Sequence, residues 1–565
     1  MAGVVLSRAR ETDDRFAVRA WEAEMSLFRM ALPFTLYSLL YAATLAENLT
    51  TAHDSAAYLL RIASGHPVFH PHHLLYEPLA VLWLAAWQSL GLVGDPAAAV
   101  AALNVLFGGL ILQMFFLLLL RRGGLPYGAA LLGTALPGFS FGLWFYAGAV
   151  EVYVIPLFLL TWAFYLLTAP TMAGRTWAAA GAIHGLAVLF HQVHLLFGFV
   201  PIARLLLDRG IPGAVRWVLL LRYVGAAALV VLPAYALVLL LEVRATSIEA
   251  AWLWFTNYAH KEAYWHGPDL ATAAKAAVGL GRSVIGGHFL FAIPELRSVL
   301  TSAFSDNALS DEVFLVRDLS PVGARLLALA AAAFVLLVLA LAASSLPNLA
   351  SRWREHRLLL ALTAAWLLPY AAFFLFWEPY NVEFWLPQAL CLWLVLLLCL
   401  WPSGRGRLTA REHLSPAAGI AALAVLLFAI NYAGSLRFTS TRSNDYTYWC
   451  IEPLIAAARP GDLVIVGDGW IVESYLKLFV DARPLALAHV YERRGNAALE
   501  ETMAAVAGTL DHGGRVFVAE DALRGATAGS PFAPGYAAFV EAFRNRIAPT
   551  SYYGAAGRRL AVIER

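Results

Sequence analysis

The chain has 565 residues, 60% of them hydrophobic and 14% charged, where an ordinary soluble domain carries about 25% charged residues. A soluble globular protein is excluded. Its 40 Lys and Arg against 38 Asp and Glu leave a formal charge of +2, which gives no support to nucleic-acid binding, and three scattered cysteines build neither a disulfide framework nor a CxxC metal site.

A bilayer core of about 30 Å needs about 20 apolar residues per helix, and the candidate spans follow in chain order. They are Phe28–Ala46, Leu74–Leu92, Ala98–Leu120, Leu125–Tyr146, Val150–Thr168, Trp177–Phe190, Leu195–Leu207, Val218–Leu241, Val322–Ala343, Leu358–Phe376, Phe384–Trp401 and Ala417–Gly434. The first follows a long charged stretch without a small-residue cleavage site, so it reads as an uncleaved span. If Leu74–Leu92 lies along the surface instead of crossing, the arginines at 121, 122, 175, 204, 209, 216, 352, 354, 357, 405, 407 and 411 all share the side of the Arg-rich N-terminus. That is the positive-inside pattern. The expected architecture is therefore mainly α and polytopic, with eleven crossings and an external C-terminus. Residues 1–434 form the membrane domain, with a first external loop (47–97) carrying juxtamembrane helices and a long external loop (242–320). Residues 435–565 alternate helix-like and strand-like segments, as in a small external α/β domain.

The first external loop opens with "HDSAAYLLRIASGHPVFHPHHLLYEP" (His53–Pro78), an unusual density of polar residues between apolar runs. Asp54, Glu151 and Glu383 stand near the outer surface in apolar company, where an ionisable group is costly and by default functional. Asp54 is the candidate general base, against the alternative of a simple helix N-cap. Glu151 starts a span, where capping again competes with function. The spans Trp177–Phe190 and Leu195–Leu207 are too short to cross fully, so the turn "HQVH" (His191–His194) should sit below the surface against protein or a wet cavity. His191 and His194 there need partners. His184 reads as a satisfied packing residue.

His66, His70, His72 and His73 suit hydrogen bonding to phosphate or sugar. A divalent metal is the alternative, since neutral imidazole suits zinc-like ions, but no regular ligand spacing appears and no cofactor is implied. Cations available for an anionic substrate are Arg61, Lys261, Arg282 and Arg297. "VGDGW" (Val466–Trp470) lacks the features of a nucleotide loop, and the "NLT" sequon at Asn48 lies too near the membrane to matter much.

The order of these features resembles the GT-C membrane glycosyltransferases, nearest to their protein O-mannosyltransferase-like branch with its "DSGE...HPPGYPLY...AEVY" pattern. "HDSAAY" supplies the Asp and Ser, "GHPVFHPHHLLY" the HP and LY, and "AGAVEVY" the EVY, while "LFHQVH" and "PGDLVIVGDGWIVESYLKLFVDARP" are similar to that branch's buried turn and external strand. The resemblance covers most of the chain through short motifs. Ala57 replaces the Glu of DSGE, and Glu383 stands where many relatives carry an Arg-Tyr pair.

The resemblance implies inverting transfer of a sugar from a polyprenyl-phosphate donor to a hydroxyl on a protein, glycan or lipid acceptor, at the outer face of a bacterial cytoplasmic membrane. Asp54 would be the base. Glu151, His72, His73, His191 and His194 would line the site, with Arg61 or the histidines receiving phosphate. The rival readings are a transporter or flippase, which typically shows inverted repeats not evident here, and a noncatalytic scaffold.

Overall fold

The computed structural model describes residues 27–563, except 93, 171–172, 209, 262–263, 304–308, 402–409, 468, 525–532 and 550–559. The Arg-rich N-terminus, Arg209, Arg405, Arg407 and Asp468 of the "VGDGW" turn lie outside the described residues. The protein is mainly α and polytopic.

In chain order the membrane-domain helices are α1 (Leu27–Ala42), α2 (Ser55–Ala63), α3 (Tyr76–Ser89), α4 (Pro96–Leu117), α5 (Tyr127–Phe139), α6 (Phe141–Ala147), α7 (Val154–Leu167), α8 (Gly174–Phe190), α9 (Phe199–Leu207), α10 (Gly213–Val238), α11 (Ile248–Thr256), α12 (Leu270–Val284), α13 (Pro294–Ala303), α14 (Ser310–Leu315), α15 (Pro321–Ser345), α16 (Leu349–Phe374), α17 (Leu386–Leu400) and α18 (Ala410–Asn431). Each of the eleven expected spans coincides with helix. By length and apolarity alone, five helical stretches among the described residues can cross a membrane, or six when the bent pair α5–α6 counts as one. One of the five, Pro321–Phe374, is long enough to hold two expected spans. It is interrupted by a 3-10 turn at Leu346–Asn348 and by non-helical backbone at His356.

Three local devices position the polar end of this bundle. First, α5 and α6 meet at 74°, with Pro137 just before the bend. The Ser140 hydroxyl at the corner donates back to the Leu136 carbonyl at 2.8 Å and accepts the Trp393 indole N–H at 2.9 Å. The bend delivers the loop Gly148–Tyr153, and Asn104 on α4 fixes that loop by donating to the carbonyls of Ala149 (2.8 Å) and Glu151 (2.6 Å).

Second, α8 packs so closely on α10 that a Cβ on Gly181 would lie 2.1 Å from the Tyr223 carbonyl oxygen; only glycine admits that approach. Third, Arg442 holds both ends of the segment 47–95. Its backbone N–H donates to Glu47 (3.2 Å) and its guanidinium pairs with Asp95 (2.6 Å). At 1.5 Å per residue the 14 residues of α3 reach about 21 Å, short of a bilayer core.

A helical turn at Arg437–Thr439 leads into the C-terminal unit, which contains α19 (Tyr446–Ala457), α20 (Trp470–Phe479), α21 (Leu487–Arg494), α22 (Ala498–Asp511), α23 (Glu520–Arg524) and α24 (Ala533–Phe543). Its strands β1 (Leu463–Val466), β2 (Arg483–Ala486), β3 (Val516–Ala519), β4 (Ile547–Pro549) and β5 (Leu560–Ile563) form one sheet in the order β2-β1-β3-β5-β4. Strand β1 runs parallel to β2 and β3, and β5 runs antiparallel to β3 and β4. The fully buried run "LVIV" of β1 is what a central parallel strand requires. Helix α20 packs on α2, immediately after Asp54.

Candidate active site

Asp54 precedes α2 but does not cap it: its backbone is helical (φ −81°, ψ −17°) and its carboxylate accepts no backbone N–H of the helix. Tyr58, one turn on, brings its hydroxyl to 3.5 Å from Asp54 Oδ2. Burial pushes the Asp54 carboxyl above its ordinary range, against the opposing pull of His53, Arg61 and Tyr58.

Glu151 is buried behind it. The Ser55 hydroxyl donates to the Val150 carbonyl at 3.0 Å and lies 3.5 Å from Glu151 Oε1, and the Val152 N–H reaches Glu151 Oε2 at 3.3 Å. Asp54 and Glu383 are the charged neighbours of Glu151. Glu383 accepts the Tyr146 hydroxyl at 2.7 Å. The three carboxylates singled out by their apolar surroundings therefore converge from three separate parts of the chain.

The histidines form the adjoining wall. The Gln192 N–H donates to the His72 carbonyl and the Leu75 N–H to the Leu189 carbonyl, each at 3.2 Å, so the proline-interrupted stretch docks on the buried turn. His70, His72 and His73 have ring centroids 5.4–6.1 Å apart. His191 lies 4.6 Å from His73 and 5.9 Å from Tyr153. Burial lowers the pKa of His70 and of His72 to about 4 and also lowers that of His73 and of His191. At neutral pH the wall is uncharged imidazole, able both to donate and to accept. No group of three or more His, Cys, Asp or Glu among the described residues has metal-ligand geometry, so the divalent metal weighed for the histidines has no formed site.

Two expected site residues have partners within the protein, and the His194 ring lies 5.6 Å from that of His191. The Arg61 guanidinium is committed to Glu77, through Nε at 3.0 Å from both carboxylate oxygens and Nη2 at 2.7 Å from Oε1. Glu77 is 2% exposed and also accepts the Val68 N–H at 2.8 Å. A buried carboxylate demands a partner, and Arg61 is its counter-charge. His194 points into the protein: its Nδ1 and the Tyr370 hydroxyl share a hydrogen bond of 2.9 Å, and its carbonyl oxygen meets His184 Nε2 at 2.8 Å. His184 bonds Tyr223 at 2.8 Å and is the satisfied packing residue expected. Arg282 is likewise paired, with Glu312 at 2.7 Å. Lys261 lies over the Tyr264 ring at 5.6 Å, and Arg297 stands exposed on α13. The sequon Asn48 is buried, its amide donating to the Asn444 carbonyl at 3.1 Å.

Sequence reasoning missed Glu77 and Glu378, although the rule that flagged Glu151 also covers the "YEP" and "WEP" motifs that contain them. Glu378 has a positive φ of 41°, a conformation that non-glycine residues adopt where the surroundings enforce it. Its N–H donates to the Tyr264 carbonyl at 3.0 Å while the His266 N–H donates to the Phe376 carbonyl at 2.8 Å, so the long loop is pinned beside the carboxylates. Burial, then Glu383 and Asp54, raise the Glu378 carboxyl to about 7.

Comparison with solved structures gives the fold. ArnT from Cupriavidus metallidurans bound to undecaprenyl phosphate is 11% identical and matches 95% of this chain and 98% of its own, with a TM-score of 0.53. The same protein in the apo state is 12% identical and matches 97% and 98%, with a TM-score of 0.54. This chain shares the overall fold of ArnT. The S. cerevisiae Pmt1–Pmt2 complex bound to its sugar donor is 16% identical over 38% of this chain and 34% of that chain, and its TM-score of 0.30 bears no weight. No protein-family model and no curated protein matches the sequence. In this fold the carboxylates and histidines gather at one end of the bundle, and the helix that follows Asp54 packs on α20 of the C-terminal unit.

Proposed function

We propose that this protein is a membrane glycosyltransferase that moves a sugar from a polyprenyl-phosphate donor to a hydroxyl acceptor, with inversion and with Asp54 as general base. The reaction is placed at the outer face of a bacterial cytoplasmic membrane. The observation that carries this reading is the convergence of Asp54, Glu151 and Glu383 beside the neutral wall of His70, His72, His73 and His191. The fold match to a protein solved with undecaprenyl phosphate supports a lipid-linked donor.

A donor of this class keeps its tail in lipid and its phosphate at the interface, so the site must be polar and open sideways to an apolar groove. Asp54 takes the proton of the acceptor hydroxyl. That oxygen bonds the anomeric carbon from one face as the bond to phosphate breaks on the other, and polyprenyl phosphate leaves. A base whose pKa is raised by burial removes a proton more readily once ionised. Imidazole N–H groups then donate to the phosphate oxygens on which charge develops. Glu151 lies behind Asp54, where Ser55 links the two acidic loops.

The test is transfer by the full-length protein in nanodiscs given a panel of polyprenyl-phosphate sugars and hydroxyl acceptors, with the anomeric configuration of the product read by NMR. One or more donors should be turned over with inversion. A product of retained configuration, or no transfer from any donor, would overturn the reading.

A further inference from the structure

The loop that carries Asp54 is held from the C-terminal unit in large part through the buried carboxylate of Asp445. Asp445, 1% exposed, accepts the N–H groups of Leu49 (2.8 Å) and Thr50 (3.3 Å) and the Thr50 hydroxyl (2.6 Å). It also accepts the Tyr448 N–H at 2.9 Å, capping α19. Tyr475, fully buried on α20, donates its hydroxyl to Asp445 Oδ2 at 2.5 Å and lies 2.9 Å from Thr50 Oγ1. Beside them, the N–H groups of Glu47 and Asn48 both donate to the Thr439 carbonyl, at 3.0 and 2.9 Å. Asp54 follows within four residues.

We propose that Tyr475 is a positioning residue for Asp54, orienting the Asp445 carboxylate that holds Leu49 and Thr50 and so setting where the base stands. The C-terminal α/β unit is thereby part of the catalytic apparatus. The proposal rests on Asp54 being the base. A carboxylate accepting this many donors in a buried network is rigid, and removing one hydroxyl lets the loop relax without deleting any group that meets substrate.

The experiment uses the full chain in nanodiscs and compares Tyr475→Phe, Thr50→Val and Thr50→Ser. Tyr475→Phe and Thr50→Val should lower kcat by about tenfold or more, because a misplacement of 1 Å can cost about 100-fold. Donor KM should stay within about twofold, since no donor contact is removed. Hydrogen exchange should quicken in peptides covering 47–54 while those of β1 and β3 keep their protection. Thr50→Ser, which retains the hydroxyl, should behave as the native protein. Native kcat in both Tyr475→Phe and Thr50→Val, or a loss of kcat with unchanged exchange over 47–54, would overturn the proposal. If Tyr475→Phe does not fold, Thr50→Val reads the same link from the loop side without touching the C-terminal core. A dead Asp54→Asn beside fully active Tyr475→Phe and Thr50→Val removes the positioning role alone; an active Asp54→Asn removes the base, and this proposal with it.

Discussion

Replacing Asp54 by Asn is expected to slow sugar transfer by about 1,000-fold, within the range of about 100- to 10,000-fold that a positioned general base contributes. The substitution keeps the shape of the side chain and removes the charge that accepts the proton. Donor affinity should change little, because the proposed contact of the phosphate is the histidine wall and not Asp54. The native enzyme should also lose activity as pH falls, since a base acts only when ionised, and the falling limb should lie above the ordinary carboxylate value because burial raises the Asp54 carboxyl. His70 and His72, neutral above about pH 4, add no ionisation step at neutral pH. The measurement is kcat and donor KM against pH for both proteins. An Asp54→Asn enzyme with native kcat would end the assignment.

The second large effect is on stability. Arg61→Met should destabilise the protein by about 3 kcal/mol, near the lower end of the cost of breaking a buried pair, because Arg61 is 32% exposed while Glu77 is 2% exposed. The damage comes from leaving a buried carboxylate uncompensated. Adding Glu77→Gln to Arg61→Met should therefore recover much of the loss, since the amide needs no counter-charge. Thermal unfolding in detergent reads both steps. Had Arg61 served the donor phosphate instead, the single variant would keep its melting temperature and raise donor KM.

The polytopic helical architecture was legible because apolar runs follow directly from the bilayer as solvent. The carboxylates were legible for the related reason that Asp54, Glu151 and Glu383 are expensive where they stand. Their convergence was not, because it depends on the bend between α5 and α6 and on Asn104, neither of which announces its geometry in one dimension. The pairing of Arg61 with Glu77 was not legible, because the two lie 16 residues apart across a proline-broken stretch with no helical spacing to betray the pair. The hydrogen bond between His194 and Tyr370 was hidden as well, because a turn of four residues does not reveal which side chain faces inward. The tie from Asp445 to Thr50 spans 395 residues, beyond the reach of local pattern.

The most direct test of the account is photolabelling. A polyprenyl phosphate carrying a photoreactive group on its first isoprene unit is bound to the native protein in nanodiscs, cross-linked, and mapped by mass spectrometry. Labels are predicted in peptides spanning 64–77, 188–198 or 377–385, at the rim formed by the histidine wall and the carboxylates. Labelling confined to the opposite end of the bundle, around residues 121–125 or 352–357, would contradict the account.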